Sequence, residues 1–81
     1  MDDGEVFGRI DELVAEEHRL EAKHADGSGL TPEERERLAA IEVRLDQCWD
    51  LLRQRRARRN SGADPDGAIV RPAGEVEGYL Q

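Results

Sequence analysis

The stretch TPEERERLAAIEVRLDQCWDLLRQRRARR, residues 31–59, decides how this chain folds. Thr31 can accept from the N–H of Glu34 while the Glu34 carboxylate reaches back to the Thr31 N–H, and Pro32 takes the first helical position, where no N–H is needed. Downstream, Leu38, Ile41, Leu45, Cys48 and Leu52 recur at alternating three- and four-residue spacing with Trp49 beside them, so the apolar side chains form one narrow stripe. Such a stripe needs a partner. Glu33, Glu36, Arg37, Arg44, Asp46 and Asp50 are expected on the other, solvated face of a helix about 40 Å long at 1.5 Å per residue.

The partner lies upstream. Asp2 with Glu5 three residues on repeats the helix-start pattern, and Val6, Ile10, Leu13, Val14 and Leu20 then follow helical spacing. The first helix is expected over about residues 4–25 and the second over about 32–59, separated by the turn cluster Asp-Gly-Ser-Gly at 26–29. Pairing outward from that turn sets Leu20 near Leu38, Leu13 near Leu45, Ile10 near Cys48 and Trp49, and Val6 near Leu52, with Phe7 flanking Trp49. The fold class is therefore all-α: residues 1–59 form an antiparallel two-helix hairpin, and 60–81 a turn-rich C-terminal tail, irregular or partly docked. The tail opens with Asn-Ser-Gly-Ala-Asp-Pro-Asp-Gly and carries two apolar islands, Ala68-Ile69-Val70 and Val76 with Tyr79-Leu80.

About a dozen apolar side chains make a thin core for two helices, so the hairpin is expected to dimerise into a four-helix bundle. At 81 residues the chain is one small domain, and its single cysteine excludes an intrachain disulfide. No apolar run approaches the roughly 18 residues of a membrane span, and the acidic start lacks the layout of a signal peptide, so the expected place is the cytoplasm. The net charge of −7 is unevenly spread: residues 1–52 hold six basic and fifteen acidic side chains, 53–59 five arginines, and 60–81 one arginine against four acids. The overall sign disfavours a general nucleic-acid binder, while the basic block keeps a local one open.

Leu13-Val14-Ala15-Glu16-Glu17-His18-Arg19-Leu20 and the block Leu45-Asp46-Gln47-Cys48-Trp49-Asp50-Leu51-Leu52, followed by the arginine run, carry a resemblance. With Asp64-Pro65-Asp66, Val70-Arg71-Pro72 and Val76-Glu77-Gly78-Tyr79-Leu80 in the tail, the chain resembles a family of short actinobacterial proteins catalogued as domain of unknown function 2630. The resemblance covers nearly the whole chain and implies a helical bacterial protein. It brings no activity and no assigned functional residue.

The candidate residues divide into three groups. Val6, Ile10, Leu13, Leu20, Leu38, Ile41, Leu45, Cys48, Trp49 and Leu52 are read as core and interface, with Cys48 a small apolar side chain rather than a nucleophile, since no neighbouring His or Lys would lower its pKa. Arg53, Arg55, Arg56, Arg58 and Arg59 suit the negative end of the helix dipole, with Asp2, Asp3 or the acidic tail as neutralising partners. Their alternative role is an anion or partner contact, because guanidinium forks bind phosphates and carboxylates bidentately. Glu17, Glu21 and His24 fall inside the first stripe at the spacing that helical bundles use for metals, but the second helix offers only Glu34 near them, so capping, pairing or snorkelling is the favoured reading. No catalytic residue and no cofactor is assigned. The sequence points to a non-enzymatic helical protein acting through self-association or an unknown protein partner, with nucleic-acid or anion binding through the arginine run as the alternative.

Overall fold

A computed structural model describes residues 2–27 and 29–74. It is all-α, an antiparallel hairpin of α1 (Asp3–Ala25) and α2 (Pro32–Asn60), followed by one 3-10 turn, η1 (Pro65–Gly67). Both helices start where side chains can take up orphan N–H groups. Asp2 accepts from the Glu5 N–H at 2.8 Å, and at α2 Thr31 accepts from the Glu34 N–H at 3.1 Å while Glu34 Oε1 accepts from the Thr31 N–H at 2.9 Å. Gly27 has φ +90°, a left-handed conformation that lets the chain reverse directly after α1.

Cross-helix contacts fix the antiparallel pairing from end to end. Lys23 Nζ donates to Glu34 at 2.8 Å near the turn, and the Arg37 guanidinium forks onto Glu16 with two bonds of 2.6 Å. Farther out Phe7 meets Trp49, and at the open end Arg55 Nε donates to Asp3 at 2.5 Å. Val6 (0% exposed), Ile10 and Leu51 form the central cluster, with Val14, Leu45, Cys48, Leu52 and Ala68 packed against it, and Ile41 is buried nearer the turn.

The tail docks. Ala63 N–H donates to the Arg58 carbonyl at 2.8 Å as the chain leaves α2, and Gly62 turns there with φ +81°. The chain then runs back along α2 as a strap. Of the two apolar islands expected there, Ala68 packs on the core while Ile69 and Val70 remain exposed; Val76, Tyr79 and Leu80 lie outside the described residues.

One expectation is overturned. Asp50, assigned from its spacing to the solvated face, is fully buried, because the strap crosses the side of α2 that a lone hairpin would leave wet. The whole is 51 × 25 × 16 Å, so its thin dimension is little more than the 10–12 Å of one helix. One layer of paired helices cannot cover both of its own flanks.

Candidate functional site

Two flanks of the hairpin differ in what covers them. On the strap side, α2 presents Gln47, Asp50, Gln54 and Arg58 at helical spacing, and each engages the returning chain. Gln54 Nε2 donates to the Ile69 carbonyl at 2.7 Å and its Oε1 accepts from the Ile69 N–H at 3.3 Å, so one side-chain amide pairs with both backbone groups of one residue. Gln47 Nε2 donates to the Arg71 carbonyl at 3.1 Å, and Arg58 Nε to the Asp64 carbonyl at 2.5 Å. At the centre the Arg71 guanidinium donates to both carboxylate oxygens of Asp50, with Nε 2.9 Å from Oδ2. Gln54 donates a third bond to Asp50 at 2.8 Å, and Arg53 stands 4.0 Å away. The Arg71 guanidinium above all, then the Gln54 amide, holds the Asp50 carboxyl below the usual range against the opposing effect of burial.

The arginine run turns out to be largely structural. Arg55 is buried and gathers three segments: Nε bonds Asp3 at 2.5 Å in α1, and Nη1 bonds Asp66 at 2.8 Å and the Pro65 carbonyl at 3.3 Å in η1. Arg59 also reaches Asp3, at 3.0 Å. These arginines lower the pKa of Asp3 through Arg55 and then Arg59, and that of Asp66 through Arg55. Asp3 is the neutraliser anticipated from sequence; Asp66 supplies the share of the tail. Arg53 and Arg56 stay on the surface.

The other flank is apolar and open. Phe7 and Trp49 meet edge to face with centroids 6.2 Å apart at 77°, yet they are 47% and 45% exposed. With Leu52, Arg53, Arg56 and Arg59 they line a depression of about 310 Å³. Leu38 and Leu45, at Trp49 spacing along the same helix, are half-buried. A second groove, of about 490 Å³, runs along the seam of α1 and α2 with Val70 of the strap at its edge, and Val6, Leu13, Cys48, Leu51 and Val70 are its apolar lining.

The remaining candidates fall as follows. Val6, Ile10 and Ile41 are core; Leu13, Leu20, Leu38, Leu45, Cys48 and Leu52 are half-buried, and Trp49 is on the open flank. Burial raises the pKa of Cys48, so its thiol stays protonated at neutral pH. Glu17 is half-buried while Glu21 and His24 are exposed; among the described residues no three His, Cys, Asp or Glu side chains gather as metal ligands. Sequence reasoning missed Leu51, Asp50, Gln54 and Arg71. The signals were a second helical stripe, Gln47-Asp50-Gln54, and a lone cation in an otherwise acidic tail.

Among the described residues no helix is long and apolar enough to cross a membrane. A family described as a protein of unknown function (DUF2630) matches residues 2–81. Similar proteins include an uncharacterised protein of Mycobacterium bovis and uncharacterised proteins of two Mycobacterium tuberculosis strains. Each is 54% identical over 77 residues, covering 95% of this chain and 88% of the relative. No solved structure matches.

Proposed function

The chain belongs to the DUF2630 family of proteins of unknown function, and from that premise we propose a non-enzymatic helical interaction protein that self-associates as a homodimer in the cytoplasm. The observation that carries the reading is the open flank, where Phe7 and Trp49 are nearly half exposed beside half-buried Leu38, Leu45 and Leu52. Large aromatic side chains in a shallow apolar depression rimmed by arginine have the composition of an interface centre. A flank of a 51 × 25 Å molecule is also large enough for the roughly 800 Å² per partner that stable interfaces bury.

A second copy suits this flank in charge as well as in shape. Leu38 and Leu52 each lie seven residues from Leu45, so an antiparallel two-fold axis at Leu45 sets one against the other. The same axis puts Glu34, eleven residues to one side and already holding Lys23, opposite Arg56, eleven to the other, so that an intermolecular contact there would share the Glu34 carboxylate with Lys23. Ile41 lies inside the hairpin and belongs to the core, which leaves Leu38, Leu45, Trp49, Leu52 and Phe7 as the contact. The anion-binding alternative weighs less, because Arg55, Arg58 and Arg59 are already engaged within the chain.

Trp49 is the only tryptophan and reports on this contact directly. Acrylamide should quench it slowly in the wild type and about twofold faster or more in Leu38→Glu, a change remote from the ring, with helicity retained. Equal quenching in both chains removes the proposal.

A further inference from the structure

The buried Arg55 guanidinium links the strap to the helix on its far side. Its Nη1 donates to Asp66 at 2.8 Å and to the Pro65 carbonyl at 3.3 Å, which seats η1, and its Nε donates to Asp3 at 2.5 Å in the first turn of α1. The strap's bonds to Arg58, Gln54, Asp50 and Gln47 end on α2, whereas those at Arg55 carry on into α1. A guanidinium is a rigid planar fork, so a shift of the groups that hold Nη1 turns the N–H that faces Asp3. At 6% exposure, little water can stand in for a lost partner of Arg55.

Asp3 stands at the rim of the aromatic flank. It also takes Arg59, at 3.0 Å, and the two line the depression that holds Phe7, Trp49 and Leu52. Phe7 follows Asp3 by four residues, about one turn, so the turn that Asp3 anchors carries the ring that meets Trp49. We propose that Arg55 makes the strap a regulator of this flank: the docked strap holds the first turn of α1 and the Phe7–Trp49 contact through Arg55 and Asp3, and a lifted strap loosens both. The consequence for assembly rests on the homodimer proposed above: a partner that lifts the strap disfavours the dimer, and the dimer in turn tightens the strap. Ala68, packed on the cluster of Val6, Ile10 and Leu51, is the competing, apolar route from strap to α1, and the test separates the two.

The relay is read by amide hydrogen exchange with mass spectrometry, in a peptide spanning residues 3–10, with residues 16–25 near the turn as the control. All chains are full-length and carry Leu38→Glu, so that a change in association does not move the result. Arg71→Ala, which lifts the strap at Asp50, and Asp66→Ala, which frees it at Arg55, should each speed exchange in residues 3–10 about threefold or more and leave 16–25 unchanged. In an Arg55→Gln chain exchange at 3–10 should already be fast, and Arg71→Ala should add nothing. Asp3→Asn, a milder cut of the same link, takes its place where Arg55→Gln loses helicity. Exchange in residues 3–10 that both strap variants leave at the parent rate overturns the proposal, and so does a rise shared equally by 16–25, which is global loosening. An Arg71→Ala effect that persists at full size with the link cut travels through Ala68 and overturns the role of Arg55. In chains without Leu38→Glu, Arg71→Ala should raise the dissociation constant of the dimer by a similar factor. A dimer of unchanged affinity overturns the regulatory half, whereas a wild-type monomer overturns the homodimer reading and not the relay.

Discussion

Replacing Arg71 by alanine should release the strap, and the size of the effect can be worked from its surroundings. Removing one partner of a buried ion pair costs about 3–5 kcal/mol, because a charge is left desolvated without its counter-ion. Here Asp50 is fully buried, but it keeps the Gln54 amide at 2.8 Å and Arg53 at 4.0 Å, and the Arg71 side chain is 32% exposed. The loss should therefore sit below that range, at about 2–3 kcal/mol, or a drop in Tm of roughly 10–20 °C for a domain of this size. Asp50→Asn should cost less, about 1–2 kcal/mol, since it removes the buried charge itself and leaves an Arg71 that can turn to water. The pair Asp50→Leu with Arg71→Met should lie close to wild type. The assay is urea unfolding followed by circular dichroism at one fixed protein concentration, so that any association enters all chains alike. An Arg71→Ala change within about 0.5 kcal/mol of wild type refutes the reasoning, since the strap would then be held by something other than Asp50.

Two further outcomes follow from the same structure. Arginine or lysine partners depress the carboxyl pKa of Asp3, Glu16, Glu34, Asp50 and Asp66, so their stabilisation is complete above about pH 5 and is lost as pH falls through the lowered folded values. Relief of the net negative charge opposes this only down to the pI of about 4.7; below about pH 4 the urea midpoint should fall steeply, and an unchanged midpoint at pH 3 would count against these pairs. The two isoleucines Ile41, 0% exposed, and Ile69, 69% exposed, should separate on truncation: about 2–4 kcal/mol for Ile41→Ala and under about 0.5 for Ile69→Ala, with similar losses pointing to a different core.

The hairpin was legible because its determinants are local. Thr31, Pro32 and Glu34 state a helix start within four residues, Gly27 supplies the left-handed turn, and pairing outward from that turn brings Phe7 to Trp49 as found. The strap was not legible in the same way. Helical periodicity sorts residues by their own polarity, which sends Asp50 to water, whereas its fate is set by Arg71, 21 residues away in an irregular segment. Leu51 was passed over because the stripe was drawn through Leu52, one residue on, whereas Leu51 is the side chain that packs with Val6 and Ile10 of α1. For the arginine run the sequence named the class of partner, Asp2, Asp3 or the acidic tail, but not how its members divide between a buried junction at Arg55 and the exposed Arg53 and Arg56. Local rules locate elements, and contacts between distant segments decide which polar residues are buried.

Self-association through the Phe7 and Trp49 flank is the central claim, and the solution mass of the full chain, by light scattering coupled to size exclusion at low and moderate salt, tests it most directly. The prediction is about 18 kDa, twice the 9.1 kDa of one chain, falling towards one chain in Leu38→Glu with helicity kept. A mass of 9.1 kDa for the wild type at every concentration and salt would contradict it.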